Sequence, residues 1–140
     1  MNISGMAGHL IRRLNQMSTQ VFTHHMQAAG CDLTPVQFAA LDAIHAHPGL
    51  DQSGISARIA YDKATIGGVM ERLEQKGFIK RSISRSDRRA REISLTEYGR
   101  KTYADIAPIV AELQYQILSG LEPAEQEQFL ILARKAIQAN

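Results

Sequence analysis

Between Asp51 and Leu95 the spacing of apolar residues changes period within a short span, and few architectures accept such a change. Ile55 and Ile59 lie four apart on one face of a short helix for which Asp51 is the expected cap. A short turn around Tyr61 and Asp62 follows, and Asp62 is the expected cap of a second helix. There Ile66, Val69, Met70 and Leu73 recur at helical spacing until Gly77 ends the run. Beyond Phe78 the period drops to two. Ile79 and Ile83 precede the charged stretch "SRSDRRA", and Ile93 and Leu95 follow it, which predicts a hairpin with a long basic tip.

Helices are expected on both sides. Leu10, Leu14, Met17 and Val21 mark one from about His9 to Ala28. Thr34, Pro35 and Gln37 form a capping box with proline in the first turn of another, which His47, Pro48 and Gly49 close. Thr96 caps a long helix in which Tyr103, Ile106, Val110, Leu113 and Ile117 step by three and four, with Pro108 expected to kink it. A last helix begins near Pro123 and carries Phe129, Leu130, Ala133, Ala136 and Ile137. The order is that of a winged helix-turn-helix: mainly α, with a small two- to three-stranded antiparallel β wing. No repeat, low-complexity tract or linker divides the chain. A single domain over 1–140 is expected, with a winged-helix lobe at about 34–96 and dimerisation helices at about 7–28 and 97–140.

With 140 residues and 44% hydrophobic content the chain can bury a core of its own. No apolar run is long enough to span a bilayer and no secretion signal is recognisable, so a cytoplasmic protein without membrane partners is expected. Its charge is unevenly distributed. From Arg58 to Lys101 twelve basic residues stand against six acidic ones, whereas the remainder holds four against eight. A basic middle on an acidic scaffold suggests a polyanion as partner.

Gly67 and Gly68 sit side by side inside a helix, where each glycine costs roughly 1 kcal/mol relative to alanine. With the apolar stripe buried, Ala64, Gly67 and Gly68 face outward and carry at most a methyl. That surface suits deep entry into a major groove of double-stranded DNA, with Lys63 and Thr65 at the helix start and Arg72 and Gln75 farther along in reach of phosphate or base. The alternative is that the glycines relieve crowding against a neighbouring helix or loosen this one. On the hairpin, Arg85, Arg88, Arg89 and Arg91 crowd around Asp87, as a wing tip laid on a DNA backbone or in a minor groove does. A solvated charged loop is the plainer reading.

These residues resemble the MarR (multiple antibiotic resistance regulator) family of bacterial transcription factors over nearly the whole chain. The carriers are "LTPVQFAALDAI", "DKATIGGVMERLEQKGFIKR", "SDRRAREISLTEYGRK" and "LEPAEQEQFLILARKAI". The resemblance implies a homodimeric repressor on a pseudo-palindromic operator, paired through its first and last helices. It also implies that Asp87 and Arg89 are the wing-tip pair and that Thr65 and Gly68 face the groove. Two departures stand out: Ser84, Arg85 and Ser86 where the family often has Asp-Pro-Arg, and Glu122 where it usually has a Ser or Thr cap before the proline.

Dimerisation has its own argument, since three terminal helices with apolar stripes exceed what a small winged helix can cover. A monomer with a self-contained helical cap is the alternative. The resemblance further implies small anionic aromatics or phenols as effectors in a crevice between the lobes. His9, Arg12 and Arg13 are the candidate charge partners and Phe38 and Leu41 the candidate apolar wall, although surface ion pairing accounts equally for the arginines. His24, His25, His45 and His47 lack metal-ligand spacing, so neither metal nor cofactor is expected. Cys31 beside Asp32 leaves open a metal- or oxidant-sensing regulator, with an ordinary thiol as the simpler reading. No nucleophile, base and orienting group occur together, which argues against an enzyme. A ligand-insensitive architectural DNA-binding protein is the competing function. An RNA-binding adaptor is disfavoured by the 6% aromatic content.

Overall fold

The computed structural model describes residues 2–59, 63–83 and 91–138. After a 3-10 turn at Ile3–Gly5 come α1 (Ala7–Ala28), α2 (Pro35–Ala46), α3 (Gln52–Ile59) and α4 (Lys63–Gln75). The hairpin strands β1 (Ile79–Ile83) and β2 (Arg91–Leu95) follow, then α5 (Glu97–Ile117) and α6 (Pro123–Gln138).

Local chemistry sets most of these boundaries. At the start of α2 the Thr34 hydroxyl accepts from Gln37 N, and the Gln37 amide oxygen accepts from Thr34 N, both at 3.2 Å. The Asp51 carboxylate accepts from Gly54 N at 2.8 Å and caps α3. Gly77, with φ of +83°, closes α4 by turning the chain so that Phe78 N reaches the Leu73 carbonyl. The Thr96 hydroxyl accepts from Gly99 N at 2.9 Å and opens α5, within which Pro108 lies. Ahead of α6, Glu125 folds its carboxylate back onto Glu122 N at 2.8 Å, compensating for the weak cap. The expected cap at Asp62 and the turn at Tyr61 lie outside the described residues.

The core gathers under α2, α3 and α4. Met26, Leu41, Ile55, Ile66, Met70, Leu73, Ile93 and Leu113 are completely or almost completely enclosed. Strands β1 and β2 pair antiparallel from Ile79 against Leu95 to Ile83 against Arg91. This sheet has two strands, and a further backbone bond from Ile93 N to the Leu50 carbonyl at 3.2 Å attaches the segment before α3 to its edge. Within α5, Ile106 and Leu113 are buried, while Tyr103, Val110 and Ile117 are half-buried against the same core. By contrast α6 buries no residue in the chain, and Leu130, Ile131, Leu132 and Ile137 are exposed. Among the described residues no helix is long and apolar enough to cross a membrane.

Candidate nucleic-acid interface

Helix α4 divides cleanly into two faces. Ile66, Val69, Met70 and Leu73 are buried, whereas Thr65, Gly68, Glu71, Arg72 and Gln75 are exposed and Gly67 is half-buried beside them. Among the described residues, a Cβ built on Gly68 would meet nothing within 4 Å, and one on Gly67 would touch only the end of the Gln52 side chain, at 3.4 Å. Neither glycine has the positive φ that would require it. Among the described residues, crowding therefore does not account for the two glycines. Lys63 and Ala64 occupy the first turn of α4; their side chains lie outside the described part.

The far end of α4 is fastened on two sides. Lys76 donates to the Asp32 carbonyl at 2.9 Å and to the Gln37 amide oxygen at 3.0 Å, and its ammonium stands 3.4 Å from the Asp32 carboxylate. Arg81 on β1 forks onto Glu74, and that hydrogen bond pushes the guanidinium pKa up. Behind the turn, Thr96 donates its hydroxyl to the Gly77 carbonyl at 2.6 Å and its amide to the Phe78 carbonyl at 3.0 Å. Tyr98 stacks on Phe78 with ring centroids 5.0 Å apart. The exposed ridge is thus carried on a rigid mount joining α4, the hairpin and α5.

Arg85, Asp87, Arg88 and Arg89 lie outside the described residues. Arg91 opens β2, its side chain likewise outside them. On the hairpin itself Ile79, Ile93 and Leu95 face the core, while Lys80 and Ser82 face outward.

The candidate effector residues are not gathered as expected. Leu41 has no exposed surface and belongs to the core, so it offers no wall to a ligand; apolar periodicity marks both roles alike. His9 is half-exposed, Arg12 and Arg13 are exposed on α1, and Arg13 bonds to Gln16 at 3.1 Å. Phe38 is half-buried in an aromatic column. It lies 6.3 Å from Phe22 and stacks at 5.8 Å on Tyr103, which in turn stacks at 4.3 Å on His45. The Tyr103 hydroxyl donates to the Asp42 carboxylate at 2.6 Å, and this bond, with burial second, pushes the phenol pKa up to about 12. None of the described cavities sets His9, Arg12 and Arg13 against Phe38.

Cys31 lines a cavity of about 370 Å³ with Asp32, Lys76 and Asp105. Burial first, then the Asp32 charge, push its pKa up and disfavour the reactive thiolate, while Lys76 acts in the opposite direction. Among the described residues no group of three or more His, Cys, Asp or Glu side chains could hold a metal ion.

Known proteins carry the same pattern. The model of the MarR family matches residues 33–90. Transcriptional regulator HosA of Escherichia coli O111:H- is 32% identical over 139 residues, which span 99% of this chain and 100% of HosA. The chain belongs to the MarR family. This MarR-family chain is also 30% identical to the HTH-type transcriptional repressor NicR of Pseudomonas putida, over 99% of its own length and 87% of NicR. Among solved structures it superposes on BpsR of Bordetella bronchiseptica with a TM-score of 0.91 at 29% identity, covering 100% of this chain and 99% of that one. That BpsR structure concerns regulation of its DNA binding by 6-hydroxynicotinic acid. As a MarR-family winged-helix protein the chain is a transcriptional regulator, not an enzyme.

Three residues that build this MarR-family site escape sequence reasoning. Gln52 reaches α4 from α3, Lys76 anchors the end of α4, and Gly99 admits the Phe78 backbone against α5. Only Gly99 leaves a signal in the sequence: a glycine in the first turn of a well-capped helix, where nothing local asks for one.

Proposed function

We propose that this regulator is a homodimeric repressor that binds a pseudo-palindromic operator through α4 and the hairpin and is released by a small aromatic acid or phenol. The observation that carries DNA binding is the Gly67 and Gly68 surface, bare, outward-facing and unexplained by packing among the described residues. Lys63, Ala64, Thr65, Arg72 and Gln75 flank that surface, and Arg85, Asp87, Arg88, Arg89 and Arg91 form the wing contact. A side-chain-poor helix face brings backbone close to base edges and thymine methyls, and the arginines hold phosphates or a narrow minor groove.

Pairing is supported by α6, which has an apolar face and no buried residue of its own. With α1 and the end of α5 it borders an apolar groove of about 610 Å³ lined by Ile11, Leu14, Ile117, Phe129, Leu132 and Ile137. A two-fold dimer would place its recognition helices about 34 Å apart, one turn of DNA. His9, Arg12 and Arg13 are the cations offered to an effector carboxylate and Phe38 the aromatic face. The 6-hydroxynicotinic acid that regulates DNA binding by BpsR is of the expected ligand class. An effector that favours a wider lobe spacing by about 3 kcal/mol would weaken operator binding more than a hundredfold.

The deciding experiment selects duplexes from a randomised library and measures their affinity at several salt concentrations for the native protein and Arg89→Ala. A specific palindrome, with the salt slope reduced by about one in the variant, is the expected result. Equal binding to bulk DNA identifies an architectural protein instead. A thermal-shift screen of aromatic acids and phenols, repeated with the selected duplex, then finds the effector as a compound that stabilises the free protein and dissociates the complex.

A further inference from the structure

The recognition surface is poorest in hydrogen-bonding groups where it is barest. Gly67 and Gly68 have no side chain, and backbone groups inside a helix are already committed to one another. Base pairs in the major groove are told apart by patterns of donors and acceptors. A bare ridge by itself senses shape and thymine methyls and leaves most of that pattern unread.

Gln52 stands beside the gap. It is the first residue of α3, and the Asp51 carboxylate, bonded to Gly54 N at 2.8 Å, fixes the turn from which it projects. Among the described residues outside α4, its Nε2 is the one atom that lies within 4 Å of a Cβ built on Gly67, at 3.4 Å. The amide therefore rests against the flank of the ridge, one turn into α4. Gln52 is half-exposed, and its side chain makes no hydrogen bond among the described residues. Neither its oxygen nor its nitrogen is committed to another described residue.

The nearby glycines show that this placement is specific to Gly67. At Gly54 a Cβ would press to 2.8 Å on Leu50 Cδ2, so packing inside the chain accounts for that glycine, while at Gly68 a Cβ would meet open space. At Gly67 a methyl would lie in ordinary van der Waals contact with the Gln52 amide, at 3.4 Å. Another helix thus lends the bare ridge a polar group at its flank.

We propose that Gln52 reads an adenine in each half-site, its side-chain amide donating to N7 and accepting from N6 at the major-groove edge. Glutamine matches that edge with both of its polar atoms. The proposal rests on the DNA-binding reading above and adds to it a specificity-determining residue outside the recognition helix.

The test is duplex selection with both half-sites randomised, run in parallel on the native protein, Gln52→Ala and Gln52→Glu. The native protein should enrich adenine at one position of each half-site. Gln52→Ala should lose that preference by about tenfold and keep the others, and Gln52→Glu should move it toward cytosine, whose exocyclic amine donates to a carboxylate. A Gln52→Ala variant with unchanged preferences, or one that binds every sequence proportionally more weakly, overturns the proposal, the second result showing a phosphate contact only. Failure of the native protein to enrich any duplex overturns the DNA-binding reading itself and this proposal with it.

Discussion

Gly99, in the first turn of α5, lies so close to Phe78 that a Cβ at position 99 would run into the Phe78 carbonyl oxygen. That carbonyl also accepts from Thr96 N at 3.0 Å, so the obstructing atom is held in place by the same joint. Gly99→Ala should therefore force the backbone apart and lower the unfolding free energy by about 3 kcal/mol, at the upper end of ordinary overpacking. Urea denaturation checks this. A loss below roughly 1 kcal/mol would show that the joint yields easily.

Gly68 should respond in opposite directions to one substitution. Because a Cβ there meets open space and the helix prefers alanine, Gly68→Ala should raise stability by about 0.5 to 1 kcal/mol. On the ridge proposed to enter the groove, the same methyl should weaken affinity for the selected duplex severalfold. Thermal melts and fluorescence anisotropy separate the two effects, and a stabilised variant of undiminished affinity would remove Gly68 from the contact surface.

Tyr103 and Asp42 tie α5 to α2, and the tie is sensitive to alkali. The phenol is raised to about 12 in the folded chain against about 10 when unfolded, so its contribution is complete below pH 10 and is lost as pH rises through 12. Replacing Asp42 with asparagine should bring the Tyr103 transition down toward 10 in a tyrosinate absorbance titration and abolish its share of the stability change between pH 10 and 12. A Tyr103 transition unmoved in Asp42→Asn would show that burial alone holds the proton.

Leu132, exposed on α6, borders the apolar groove between the terminal helices. Leu132→Asp should convert the proposed dimer to a monomer in sedimentation velocity and weaken DNA binding by far more than its distance from α4 would suggest, because two half-sites are then no longer held together. An unaltered dimer would place the interface elsewhere.

What could be read in the sequence was what depends on near neighbours. The capping box of Thr34 and Gln37 spans three residues, the Ile66, Val69, Met70 and Leu73 stripe spans two turns, and Gly77 ends α4 through its own φ. The two faces of the recognition helix followed from that stripe. Contacts between distant segments could not be read in this way. Tyr103 finds Asp42 across 61 positions and Lys76 finds the Asp32 carbonyl across 44, and nothing in the intervening sequence measures the distance between them in space. Leu41 illustrates the same limit: its spacing marks it as inward-facing, but only the arrangement of α2 among its neighbours decides between core and crevice.

The Gln37 amide oxygen accepts both from Thr34 N, at the start of α2, and from Lys76, just past the end of α4. One atom in the interior thus serves two helices that meet nowhere along the chain. Positions 34, 37 and 76 should consequently evolve as a linked set: exchanging any one alone releases the others, and tolerated changes at 37 will be found chiefly in backgrounds where 34 or 76 has already changed.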